Sequence, residues 1–297
     1  MVVVLALTPG CRSAISPRLR PSDPADVQDI RSRSERRFAD AIFFKPRESD
    51  DLAWAQPLAP LFLHECSTPP ADPPSVADRH APTPAGGEVN ASCAPRFGEL
   101  LLRPRTFGES PSWSVAQDLP IVYVQHDRLT VGRTTYDELI HVWFYPATEP
   151  GSPPRPHGLR TILGRDGFPV VWEQLEDAPA RRLVFVSQSF ERAAQRAFGP
   201  PLPGRRFACE ADRRTAPQIL VVDLVEDGPI PMGPYLYVDA KLRLQSVLCR
   251  CSPSRVDRIR ESVFYELRSL DELRALGYRP DFQPLNPARD LRWPPGV

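Results

Sequence analysis

Three groups of residues carry side chains that can do chemistry. His64-Glu65-Cys66, with His126, Asp127 and His141, pools imidazole, carboxylate and thiol, the donor types that hold zinc at tetrahedral geometry. Their spacing matches no metal loop, and ordinary hydrogen-bonded histidines are the plainer reading, so no metal site is assigned. Glu138 and His141 stand three apart, and in a strand such residues point to opposite faces. Cys249-Arg250-Cys251 places two thiols beside cations and just ahead of an expected helix, surroundings that lower a thiol pKa. A disulfide between adjacent strands or a buried thiol is the competing reading.

The third group is acidic: Trp172-Glu173, Glu176-Asp177 and Glu226-Asp227. Two carboxylates across a cleft perform acid–base hydrolysis, whereas acids at strand ends are otherwise solvated turn residues. On the hydrolase reading the candidate catalytic residues are His126, His141 and Glu173, with or without a metal. Arg181-Arg182 and Arg205-Arg206 suit an anion or simply partner nearby acids. The chain has no P-loop, no GxGxxG, no HExxH, no GxSxG and no CxxC, so no cofactor is implied.

Charge and composition narrow the classes. Lys+Arg and Asp+Glu are both 37, giving zero net charge, which argues against a nucleic-acid partner. Proline supplies 37 of 297 residues, against roughly 5 % in average proteins. Only Lys45 and Lys241 are lysines. Arginine-rich, proline-rich usage of this kind follows from a GC-rich genome. The 41 % hydrophobic content supports a core, and no apolar run is long enough to cross a membrane as a helix.

The N-terminus hints at an address. Val2 to Leu7 is an apolar run followed by Thr8-Pro9-Gly10-Cys11, which resembles the tail of a bacterial lipoprotein signal. The positive n-region is missing, and the run is shorter than the roughly 7–15 residues of an h-region. A start codon further upstream would supply both. Residues 1–20 then read as a truncated signal with a lipid anchor on Cys11, and the protein sits in the cell envelope with the membrane as a partner. Without that upstream stretch the address is cytoplasmic. Export would permit disulfides: Cys66 with Cys93, and Cys209 with Cys249 or Cys251.

The elements that must position these groups divide the chain. Residues 21–66 read as a helical N-terminal segment, opened by Ser22-Asp23-Pro24. Residues 67–118 read as a proline-rich loop or linker. Residues 119–297 read as an α+β domain. In it, Gly164-Arg165-Asp166-Gly167 between two apolar runs predicts a tight hairpin. Gly132 predicts another, and Tyr235–Val238 with Leu242–Leu248 a third. Ser189 is expected to cap a short helix that Gly199 stops. Val256, Ile259, Val263, Phe264 and Leu267 match one helical face, and Ser269 with Glu272 forms a capping box for a second helix. The expected architecture is a mostly antiparallel sheet with helices packed on one side and a C-terminal helical hairpin. The expected function is a binding or scaffolding protein of the bacterial envelope, whose protein or small-molecule ligand the sequence does not identify; a hydrolase is the alternative.

Overall fold

The computed structural model describes residues 25–66, 96–103, 112–147, 149, 152–176, 181–252 and 254–297. Cys11, Cys93, Asp177, the Ser22-Asp23-Pro24 cap and prolines 69–95 lie outside the described residues. The elements run α1 (Ala25–Ser34), β1 (Phe38–Pro46), β2 (Leu61–Glu65), β3 (Glu99–Arg103), β4 (Ser112–Ala116), β5 (Ile121–Val131), β6 (Thr134–Tyr145), β7 (Arg155–Leu163), β8 (Pro169–Glu176) and β9 (Arg182–Ser187). There follow α2 (Gln188–Phe198), β10 (Ile219–Val225), β11 (Pro234–Val238), β12 (Leu244–Cys249), β13 (Val256–Ser269), α3 (Leu270–Ala275) and α4 (Pro287–Asp290).

Eleven strands form one mixed sheet in the order β10-β9-β8-β7-β6-β5-β13-β1-β2-β11-β12. It curls into a nearly closed, barrel-like shape. β5 to β9 are joined by antiparallel pairings, as their short connections require. β13 splices this meander to the rest: it runs parallel to β5 through Glu266–Ser269 and parallel to β1 through its earlier residues. The two edge strands β10 and β12 approach each other, and α1 packs against both across the seam. Val27 of α1 is buried there, and Arg31 Nη2 donates to the Val221 carbonyl at 3.4 Å.

Alternation along β6 shows how the layers form. Trp143 and Tyr145 join Phe44, Phe62 and Phe185 in the core that fills the barrel, and His141 shares their face by the two-residue period. Val142 and Phe144 point outward into a second apolar layer with Leu270 and Leu273 of α3. A third layer packs Phe190 and Ala194 of α2 on Val171 and Val221. Both faces of these strands are covered, which explains why their sequences read as continuous apolar runs.

This architecture overturns the expected α+β sandwich of helices on a mostly antiparallel sheet. The described residues are 46 % strand and 15 % helix. The expected first helix of the C-terminal pair is strand β13, on which Ile259 and Phe264 stand 47 % and 49 % exposed. Its Val263, Tyr265 and Leu267 turn into the barrel core, a period of two masked by the helical spacing of the apolar residues, while Val256 packs on the cluster of Phe38 and Tyr237. The capping box at Ser269 and Glu272 is present, but α3 is short. The N-terminal segment contributes one helix and two strands of the same sheet, so residues 25–66 and the later strands share one core. Residues 99–116 include the β3–β4 hairpin.

Candidate functional site

The sharpest turn in the sequence builds one wall of a cleft. Gly167 takes φ +79°, its amide donates to the Gly164 carbonyl at 2.9 Å, and Gly164 N–H donates to the Phe168 carbonyl at 2.8 Å. Asp166 Oδ1 accepts from the Phe168 amide at 3.1 Å. The second wall is the start of α2. Its cap is Ser187, two residues before the expected Ser189, with Oγ accepting from the Phe190 amide at 3.1 Å. Asp227 accepts from Ser189 N–H at 3.0 Å and pairs with Arg192 at 2.7 Å, tying the β10–β11 loop to α2.

That loop is the third wall. Gly233 donates its amide to the Pro57 carbonyl at 2.8 Å. A Cβ on Gly233 would meet the backbone oxygens of Ala59 and Leu58 at 2.3 and 2.4 Å, so the loop lies on that turn only because the residue is glycine. The enclosed space is about 490 Å³. Val170, Trp172, Phe190, Val225 and Met232 line it, with Cys249 from the end of β12. Trp172 is 4 % exposed and its indole N–H has no acceptor among the described residues. Charges sit at the rim, where Arg165 is engaged by Thr134 Oγ1 at 2.8 Å and Glu226 by Ser252 Oγ at 2.8 Å.

A separate polar column lies inside the barrel. Tyr145 OH is 2.9 Å from His64 Nε2, and the His157 ring stands edge-on to Tyr145 with centroids 5.0 Å apart. Burial pushes His64, His141 and His157 each down to about 3, so all three are neutral imidazoles at physiological pH. Burial raises the Tyr145 phenol, which therefore stays protonated. Neither ring nitrogen of His141 has a hydrogen-bond partner among the described residues.

The residues expected to do catalysis do not converge. His126 is exposed and lies 3.0 Å from Asp137. His141 faces the barrel interior. Glu173 is on the opposite face of the sheet, 3.2 Å from Arg160 and accepting from the Leu285 amide at 2.8 Å. Burial raises its carboxyl pKa against the pull of Arg160. Glu65 serves Arg36 and the Ala240 amide. Arg205 is no anion site: it donates to the carbonyls of Ala211, Ala216 and Ile219 at 2.6, 2.9 and 3.1 Å. Among the described residues no three potential ligands gather around a metal position.

The cysteines sort differently from the expected pairs. Cys66 is disulfide-bonded, as export would allow; its expected partner Cys93 lies outside the described residues. Cys209 is a free buried thiol, not paired to Cys249 or Cys251. Burial and the nearby Glu191 raise its pKa strongly. Cys249 and Cys251 face each other, with Sγ atoms 2.8 Å apart and both thiols free. Trp172, Phe190, Met232 and Gly233 become one site only in the folded chain. The only local signal was an aromatic residue next to the acid Glu173. Comparison with protein-family models, curated proteins and solved structures finds no match to this chain.

Proposed function

We propose that the protein is a binding protein of the bacterial envelope whose cleft holds a compact, largely apolar molecule. The observation that carries this reading is the apolar lining of the cleft by Val170, Trp172, Phe190, Val225 and Met232, with charged side chains kept to its rim. The volume of about 490 Å³ falls within the roughly 300–1,000 Å³ of small-molecule sites. The envelope address is supported by the apolar run before Cys11 and by the disulfide at Cys66.

The binding test uses prodan, an apolar naphthyl ketone whose emission shifts to the blue in dry surroundings. Saturable, blue-shifted binding is expected, lost in Ala193→Trp, which fills the cleft from the α2 wall. No saturable shift, or equal binding by Ala193→Trp, would overturn the reading. The anchor is tested by metabolic labelling with palmitate: label is expected in the wild type and lost in Cys11→Ser. An unlabelled wild type removes the anchor.

A further inference from the structure

The segment after β12 makes a tight turn in which Ser252 N–H donates to the Cys249 carbonyl at 3.0 Å. Its middle residue is pinned, because the Arg250 guanidinium donates to the carbonyl oxygen of Ala59. The flanking thiols are thereby held together, Sγ to Sγ at 2.8 Å. Their exposures differ sharply. Cys251 is open to solvent, while Cys249 is 6 % exposed at the cleft wall. A Cβ on Gly228 would lie 3.4 Å from Cys249 Sγ, so the β10–β11 loop comes close to the buried sulfur.

We propose that Cys249 and Cys251 form a reversible dithiol–disulfide couple, oxidised by exchange with a small external disulfide. This assignment does not depend on the ligand reading of the cleft. The order of events follows from exposure. Cys251 loses its proton and attacks one sulfur of the incoming disulfide, breaking that bond and releasing one thiolate. Cys249 then loses its proton and attacks Cys251 Sγ, displacing the second thiolate. The two released thiolates take up the two protons. The net change oxidises two cysteine thiols to one disulfide and reduces one external disulfide to two thiols. The second step is intramolecular between atoms already in contact, so it outruns attack by another external thiol. Closing the pair to bonding distance needs less than about 1 Å of movement. Partial burial, the neighbouring sulfur of Cys249 and the Glu226 carboxylate push the Cys251 thiol up to about 12. The first attack is therefore slow at neutral pH, and the equilibrium is the quantity to read.

The sequence supplies its own assay, since trypsin cuts after Arg250, between the two cysteines. The purified full-length chain is equilibrated with mixtures of glutathione disulfide and glutathione, blocked with iodoacetamide, digested and weighed. As the oxidised form is raised, residues 244–250 and 251–255 are expected to be recovered joined and unalkylated. Reduction should then release two peptides. Cys249→Ser is expected to hold a stable glutathione adduct on Cys251, at an occupancy at least about tenfold above that of the wild type. The proposal is overturned if both cysteines are alkylated at every ratio. It is equally overturned if the wild type accumulates the adduct on Cys251 while Cys249 stays free.

Discussion

The Tyr145 hydroxyl lies 2.9 Å from His64 Nε2 in the barrel interior, where neither side chain reaches water. The phenol is kept protonated and the imidazole neutral by the same burial. Tyr145→Phe preserves the ring and leaves a buried imidazole nitrogen without its partner. The expected cost is about 1–3 kcal/mol, read as a lower urea midpoint at unchanged slope. A midpoint within experimental scatter of the wild type would show that the contact contributes nothing to stability.

The buried histidines also set a pH dependence. Each has its pKa lowered by burial from 6.5 to about 3 in the folded state. Between those values the unfolded chain binds protons that the folded chain does not, so stability is full above about pH 6.5 and falls as pH drops toward 3. The slope is up to about 1.4 kcal/mol per pH unit for each histidine. Replacing His141, whose ring nitrogens have no partners among the described residues, isolates one such contribution. His141→Leu is expected to flatten the urea midpoint profile between pH 6.5 and pH 4 relative to the wild type. Parallel profiles would contradict a buried neutral imidazole there.

How far the sequence could be read depends on how far apart the interacting residues lie along it. The turn at Gly164–Gly167 and the β11–β12 hairpin use residues a few positions apart, so their chemistry is visible in a short window. The Ser269 and Glu272 cap is visible for the same reason. β13 was hidden because its partners are β1 and β5, which lie far away in the chain. Its exposed first half also carries apolar residues at helical spacing. The cleft was hidden too, since its walls come from around residues 165–172, 189–196, 225–234, 249 and 295–297, which only the fold brings together. Glu173 looked like a candidate acid because nothing local shows that Arg160 and the Leu285 amide occupy it.

That last assignment has a direct consequence. Arg160 is 3 % exposed and bonds Glu138 at 2.6 Å, Glu173 at 3.2 Å and the Leu285 carbonyl at 2.9 Å. The network clamps the C-terminal segment onto the outer face of the sheet. Arg160→Ala leaves two carboxylates facing each other without their cation. The expected loss is about 3–5 kcal/mol, with the segment around Leu285 becoming sensitive to brief proteolysis before the rest of the chain. Should Arg160→Ala keep its full stability and protection, the ion cluster would have no structural role, and Glu173 would again be open to a catalytic one.

Two glycines separate backbone strain from backbone contact. Gly167 adopts φ +79° but has nothing within 4 Å of the place where a Cβ would stand. Gly167→Ala therefore suffers only the left-handed conformation, about 1–2 kcal/mol. Gly233 is the opposite case. Its added Cβ would lie 2.3 Å from the Ala59 oxygen and 2.4 Å from that of Leu58, and neither atom is a side-chain end that can swing away. Relief requires the β10–β11 loop to lift, losing the 2.8 Å bond from Gly233 N–H to the Pro57 carbonyl and opening the third wall of the cleft. Gly233→Ala is thus expected to lower the urea midpoint further than Gly167→Ala and to weaken prodan binding at least about tenfold, a loss of about 1.4 kcal/mol. A Gly233→Ala variant that is the more stable of the two and still binds prodan normally would mean that the loop does not rest on the Leu58–Ala59 turn and that the cleft does not depend on it.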